Sequence, residues 1–161
     1  MKTLILLSAI PGSGKSTWAK EYKESHKDTY IIASDEIRLE LYGSVTNFTH
    51  EDVVWKTFLD RLNEVSSMDG DVTAIADATN LQNKYRKFYN VKTPGFDKHV
   101  LVLFNVPFDT CLKQNKMRTN DRVVPYKAML SLQNEYEKPD EEVQSIYDEV
   151  IVIKDFVAKK R

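Results

Sequence analysis

From residue 9 to residue 17 the chain reads Ala9-Ile10-Pro11-Gly12-Ser13-Gly14-Lys15-Ser16-Thr17. This is the pattern of a phosphate-binding loop with Ala in place of its first glycine. Gly12 and Gly14 permit backbone torsions and a close approach that side chains would block, so that successive N–H groups, that of Ser13 included, can point at phosphate oxygens. Lys15 supplies a charge for the outer phosphates, the Ser16 hydroxyl is placed to ligate Mg2+, and Thr17 can reach the inner phosphates. A helix opening at Ser16 adds its positive dipole end. The ligand implied is a nucleoside triphosphate with magnesium.

Binding a triphosphate does not make a kinase, and four further clusters bear on what else the chain does. In Ser34-Asp35-Glu36-Ile37-Arg38, Asp35 falls at the carboxyl end of an expected strand and Arg38 follows on the same helical face. A carboxylate beside an arginine can accept a hydroxyl proton while the cation holds an anionic acceptor. The same residues would also serve as a helix cap with a surface ion pair. A second apolar run ends in Asp77-Ala78-Thr79-Asn80, where the Asp suits a magnesium-organising position and the Asp and Asn also suit a turn. Arg118 and Arg122 stand four apart in a basic stretch. That is a good place for a mobile lid bringing cations onto a transferring phosphate, and equally for a solvated helix end. Lys84, Arg86 and Lys87 interleave with Tyr85, Phe88 and Tyr89, which suits a strand-binding surface or, more simply, an amphipathic helix.

Two other features are set aside. Asp69-Gly70-Asp71-Val72-Thr73 matches the D-x-D-x-T pattern of aspartate-nucleophile phosphatases, but that chemistry needs the first Asp at the end of a buried strand. Here it precedes one, so the segment reads as a connecting turn. His26, His50 and His99 are scattered without metal-ligand spacing.

These side chains need a scaffold, and its pattern is regular. Short apolar runs at Leu4–Leu7, Tyr30–Ala33, Val72–Ala76, Val100–Phe104 and Val150–Ile153 alternate with segments of helical spacing. One helix is expected to start near Thr49, with Asp52 three residues on and Val54, Trp55, Phe58, Leu59, Leu62 and Val65 on one stripe. Another is expected to have Pro125 in its first turn and to end by Pro139. The alternation implies an α/β fold, a five-stranded parallel sheet with helices on both faces and ligands at the carboxyl ends of the strands.

At 161 residues the chain has room for one domain with a single sizeable core. With 42% hydrophobic and 29% charged residues it is neither collagen-like nor disordered. No apolar run approaches the ~20 residues of a membrane span, and Leu4–Ile10 runs into the glycine-rich loop instead of a cleavage site. A lone Cys111 makes no internal disulfide. A cytoplasmic protein is therefore expected, with Cys111 serving in packing. The net charge of −1 gives no global attraction for polyanions. Charge is nevertheless uneven: residues 113–127 carry five cations against Asp121, and residues 135–149 carry seven carboxylates against Lys138.

Pro11-Gly12-Ser13-Gly14-Lys15-Ser16-Thr17-Trp18-Ala19, Ser34-Asp35-Glu36-Ile37-Arg38, Thr79-Asn80-Leu81, Val106-Pro107-Phe108, Arg118 and Val124-Pro125 together resemble the kinase domain of phage-type polynucleotide kinases, in order and spacing across nearly the whole chain. The resemblance implies a single P-loop kinase domain over residues 1–161, with a small helical lid at about residues 115–124. It also implies transfer of the γ-phosphate of ATP to a 5′-hydroxyl of DNA or RNA. Lys15 and Ser16 would hold ATP and Mg2+, Asp35 would be the general base, and Arg38, Thr79 and Asn80 would meet the acceptor. Ser16 and Asp77 would be the metal positions. Asp77 stands one residue further from Thr79-Asn80 than the family pattern has it. The lid is about a residue longer, which leaves Arg118 and Arg122 competing for the lid role. Small P-loop kinases share the loop, the Asp-x-x-Arg and a lid, so a nucleoside, sugar or antibiotic hydroxyl is the alternative acceptor. A non-kinase nucleotide switch is a third reading, disfavoured by Asp35 and Arg38.

Overall fold

In the computed structural model, which describes residues 1–155, five strands form one sheet: β1 (Lys2–Ser8), β2 (Thr29–Ala33), β3 (Val72–Asp77), β4 (Lys98–Phe104) and β5 (Glu149–Ile153). Their spatial order is β2-β3-β1-β4-β5, and every pairing is parallel. Each strand contains its expected apolar run and extends past it by polar residues such as Lys2, Ser8 and Lys98, because ladder pairing is a backbone property indifferent to side-chain polarity.

In the three central strands, β3, β1 and β4, the continuous apolar runs follow from burial on both faces, whereas the edge strands leave Tyr30, Ile151 and Val152 exposed. Leu4, Leu6, Leu101 and Leu103 point to one side, where they meet Val54, Phe58 and Leu62 of α3 (Glu51–Ser66) and Val143 of α7 (Glu141–Ile146). Ile5, Leu7, Val100 and Val102 point to the other, where they meet Ala19 of α1 (Lys15–Ser25), Cys111 of α5 (Phe108–Lys116) and Met129 of α6 (Tyr126–Glu135). Helices α2 (Ser34–Tyr42) and α4 (Asn83–Lys92) complete the layers. Chain direction splits at β1: one crossover goes to β2, while the chain from β3 goes out to β4. This strand-order reversal leaves a crevice beyond the carboxyl ends of β1 and β3.

Several boundaries differ from expectation. Thr49 does not cap α3: its hydroxyl donates to Asn47 Oδ1 at 2.5 Å in a local turn, and the helix begins at Glu51 after His50. α1 opens at Lys15, one residue before Ser16. α6 ends at Glu135, where Tyr136 turns extended, four residues before Pro139. Pro139 instead leads into α7, which the sequence reading did not anticipate; its first turn is capped by Asp140, whose Oδ1 accepts from the Val143 N–H at 2.8 Å. The segment expected to form a lid, residues 115–124, comprises the end of α5 and a single 3₁₀ turn at Asn120–Arg122. Asp69-Gly70-Asp71 forms the link between α3 and β3, with Gly70 at φ 83°. Among the described residues no helix is long and apolar enough to cross a membrane.

Candidate active site

The glycine-rich loop joins β1 to α1 at the crevice. Gly12 and Gly14 have φ of 81° and 89°, in the left-handed region open to glycine. Gly12 has a second constraint: a Cβ there would lie 2.2 Å from the Cys111 carbonyl oxygen and 3.1 Å from the Asn115 amide nitrogen. The backbone of α5 is thus packed directly on the loop. Ser13 is fully buried, and its Oγ has no hydrogen-bond partner among the described residues.

Lys15 and Ser16, in the first turn of α1, both face Asp77 at the end of β3. Lys15 Nζ lies 3.5 Å from Asp77 Oδ1, and the Ser16 hydroxyl donates to Asp77 Oδ2 at 2.9 Å. Asp77 is therefore joined to the phosphate loop despite its one-residue offset from the family pattern. A hydroxyl and a carboxylate are hard oxygen donors, the set that suits Mg2+, which takes one or two carboxylates and completes its shell with phosphate and water. No cluster of three or more His, Cys, Asp or Glu side chains fit to hold a metal occurs among the described residues.

A second group is built on α2, which starts where β2 ends. Asp35 stands in the first turn with its side chain 40% exposed. Arg38, one turn later, is buried and donates from Nη1 to Asp35 Oδ1 at 3.0 Å. Two further bonds run to Glu51 at the start of α3: Nε to Oε2 at 3.0 Å and Nη2 to Oε1 at 2.5 Å. Phe48 and Trp55 cover the guanidinium at 4.8 Å and 5.5 Å. Three of the five guanidinium N–H groups are thereby engaged, which leaves two for a ligand. Glu51 was not singled out in the sequence, because its partner is 13 residues away and the intervening segment is not regular.

Arg118 and Arg122, the two candidates for a lid role, part company. Arg122 forms an ion pair with Glu36 of α2 at 2.9 Å. The Arg118 guanidinium has no hydrogen-bond or ion-pair partner among the described residues. Burial lowers its pKa, the neighbouring charge of Arg122 adds to that, and the negative charges of Asp35 and Asp77 pull the other way, so this cation lies within electrostatic reach of both carboxylate centres. Asn115 shapes the loop that carries it: its side-chain Nδ2 donates to the Val124 carbonyl at 2.7 Å, and its Oδ1 accepts from the Val124 N–H at 3.0 Å. One amide thus closes the 115–124 segment onto the helix that packs against Gly12.

Beyond Asp77, Ala9 N–H donates to the Thr79 carbonyl at 2.9 Å. Asn80 has φ 44°, and its amide donates to the Leu7 carbonyl at 2.9 Å, so its polar end is anchored into the end of β1. Arg86, fully buried on α4, ties this loop down through bonds to the carbonyls of Asn80 and Leu81. Of the basic and aromatic residues on α4, Lys87 pairs with Asp140 and Glu142 and Tyr89 is buried, whereas Tyr85 and Phe88 are each 44% exposed. These two line a cleft of about 450 Å³ with Trp55, Thr79 and Leu81. A depression of about 530 Å³ along residues 23–30 lies at the amino end of β2, away from these groups. Trp18 stacks on Tyr22 and meets Phe104 edge-on, and Ala19 is fully buried; both hold α1 on the sheet. Cys111 is buried, and burial pushes its thiol up to about 11, consistent with packing.

An AAA-domain family model matches residues 4–139. Solved structures of similar fold include Kti12 from Chaetomium thermophilum in complex with ADP-AlF3, at 16% identity and TM-score 0.67, covering 94% of this chain and 88% of that one. A fungal RNA kinase aligns at 14% identity and TM-score 0.72, covering 99% and 76%. Shikimate kinase from Acinetobacter baumannii in complex with shikimate aligns at 20% identity and TM-score 0.57, covering 92% and 82%. No curated protein sequence matches the chain. At these identities the likeness is one of fold, that of the P-loop kinases.

Proposed function

Since the chain belongs to the AAA-domain family and has the P-loop kinase fold, we propose that it transfers the γ-phosphate of ATP to the 5′-hydroxyl of a DNA or RNA strand. The observation that carries this reading is the pairing of two centres at neighbouring strand ends: Asp77 is in register with Ala33, two residues before Asp35. The Lys15, Ser16 and Asp77 cluster suits the triphosphate, Asp35 with Arg38 suits a hydroxyl acceptor, and the charges of both Asp35 and Asp77 act on Arg118.

In this reading the backbone amides of Gly12, Ser13 and Gly14 and the side chains of Lys15 and Thr17 cradle the phosphates. Ser16 and Asp77 would hold Mg2+, which when bound neutralises charge on the outer phosphates. Asp35, the exposed carboxylate, accepts the proton of the attacking hydroxyl; the new O–P bond forms as the bond to the departing ADP oxygen breaks. Arg118 stabilises the charge spread over the transferring group, and Arg122, held by Glu36, steadies the lid. The two free N–H groups of Arg38 are available to the acceptor, and Thr79 lines the neighbouring cleft that Trp55 shares. Likeness to a fungal RNA kinase supports a strand acceptor. A small-molecule hydroxyl is the second reading, favoured by likeness to shikimate kinase and by the net charge of −1.

The test is transfer of labelled γ-phosphate from ATP to a 5′-hydroxyl oligonucleotide, run beside a 5′-phosphorylated control and a panel of nucleosides, sugars and antibiotics. Label on the 5′-hydroxyl strand alone is expected. Label on a small molecule and on neither strand would replace the strand acceptor by the second reading.

A further inference from the structure

The cleft of about 450 Å³ on the far side of Arg38 is built unlike the phosphate loop. Its walls are Trp55 of α3, Tyr85 and Phe88 of α4 and Leu132 of α6, with Gln82 and Glu135 supplying polar edges. No lysine or arginine is among its lining residues, Glu135 brings a negative charge, and the Lys84 ammonium beside it sits over the Tyr85 ring at 5.0 Å, so the mainly aromatic lining suits a flat ring better than a phosphate or a sugar acid. The back wall is rigid: Trp55 meets Phe58 edge-on at 5.4 Å, and Phe58 meets Tyr89 edge-on at 5.5 Å. Tyr85 and Phe88 stand three apart on one face of α4 and retain exposed aromatic surface there, apolar area that a stacked ring would remove from water.

The cleft is continuous with the acceptor centre. Trp55 lines it and also covers the Arg38 guanidinium at 5.5 Å, and Arg38 is bonded to Asp35 at 3.0 Å. One arginine therefore separates the proposed general base from the aromatic wall. In a nucleotide, one sugar ring separates the 5′-hydroxyl from the base.

We propose that this cleft holds the base of the acceptor's 5′-terminal nucleotide by stacking, making Trp55, Tyr85 and Phe88 specificity-determining residues. The inference rests on the strand-kinase reading above and adds a location for the base. It also accounts for the interleaved segment of α4: Arg86 and Tyr89 serve the interior and Lys87 serves α7, while the two remaining aromatics face the ligand.

The experiment compares an oligonucleotide ending in an intact 5′-hydroxyl nucleotide with one whose terminal nucleotide is abasic. Wild-type protein is tested beside Tyr85→Leu/Phe88→Leu, which keeps apolar bulk and removes the stacking faces. Loss of one stacked base is expected to raise KM for the strand by about 5- to 150-fold. The KM for ATP should stay unchanged. The double variant should show the raised KM on the intact strand and no further rise on the abasic one. Equal KM for both strands in the wild type, or discrimination retained in the variant, overturns the proposal. If neither strand is phosphorylated, the strand-kinase reading fails separately. Calorimetric titration with a nucleoside 3′-phosphate then decides the cleft: binding weakened in the double variant supports it, and binding that is absent or unchanged overturns it.

Discussion

Arg38 and Arg86 are both buried, both helical and both hydrogen-bonded on every side-chain nitrogen, yet their partners differ in kind. Arg38 meets carboxylates, Asp35 and Glu51, in a trio with net charge −1, and two of its N–H groups remain free. Arg86 meets only neutral oxygens: the carbonyls of Asn80, Leu81 and Glu137, the Asn83 side chain and the Ser8 hydroxyl. Those five bonds exhaust its donors. The saturated arginine acts as a strut, fastening the loop after β3 to the end of β1 and to the chain before α7. The unsaturated one stands beside an accessible carboxylate and retains capacity for a ligand. Donor accounting separates scaffold from candidate machinery where burial alone does not.

The largest effect expected is on the strut. Replacing Arg86 by Met would leave the Glu137 carbonyl and Asn83 Oδ1 without this donor, whereas the Leu81 carbonyl keeps the Glu137 N–H and the Asn80 carbonyl keeps the Ser8 hydroxyl. With ~1–3 kcal/mol for each orphaned acceptor and a further cost for imperfect repacking, a loss of about 3–6 kcal/mol is expected in urea unfolding. A loss below about 1 kcal/mol would erase the contrast with Arg38, since surface substitutions cost that little. Next in size is Asp35→Asn. It should leave the unfolding midpoint and ATP binding nearly unchanged while lowering kcat by about 10²- to 10⁴-fold, the usual contribution of a general base. Retained turnover would remove Asp35 from that role.

The same contrast explains what the sequence made legible. The phosphate loop and the Asp35/Arg38 pair are local patterns, with all their parts within a turn or two of backbone, and the three central strands announce themselves because burial on both faces makes them continuously apolar. Glu51, Asn115 and the role of Arg86 depend on folding. Arg38 finds Glu51 across 13 residues, Asn115 clamps Val124 across nine, and Arg86 reaches Ser8 across 78. No periodicity records such pairings, and Arg86 in particular looks like one more cation on an amphipathic helix. α7 escaped notice for a related reason: six residues with only Val143 fully inside, in a run of carboxylates, carry too little apolar pattern to register.

Arg118 is a third kind of arginine, partly buried and without a hydrogen-bond or ion-pair partner among the described residues, and so sharpens the comparison further. Arg118→Ala should lower kcat roughly 10²- to 10³-fold, as expected for a donor aimed at developing charge. Arg122→Ala loses an ion pair with a largely exposed Glu36 and should cost at most ~1 kcal/mol of stability and little turnover. Equal kinetic losses in the two variants, measured in parallel by single-turnover transfer, would show that the absence of an ion-pair partner is not what sets Arg118 apart.

The smallest effect lies at the opposite end of the sheet and involves the scaffold alone. His99, at the amino end of β4, is packed edge-on to Phe96 and Tyr147, and its ring nitrogen lies 2.9 Å from Thr93 Oγ1 and 3.2 Å from the Thr93 carbonyl. Burial pushes its pKa below the usual 6.5, against the weaker pull of the Thr93 carbonyl and of Asp148. In the unfolded chain the imidazole protonates near its ordinary value, and in the folded protein only at lower pH. Below that ordinary value the unfolded state therefore binds more protons, and stability falls as acid is added; above it His99 is neutral in both states and contributes no slope. The melting temperature should drop between pH 7.5 and pH 5.5, and His99→Gln should remove part of that drop. Because His99 sits at the end of β4 away from Asp35 and Lys15, the same variant should leave the pH profile of phosphate transfer unmoved. An altered profile would mean that the two ends of the sheet are coupled, and that the division between strut and reagent drawn from Arg86 and Arg38 does not extend along the strands.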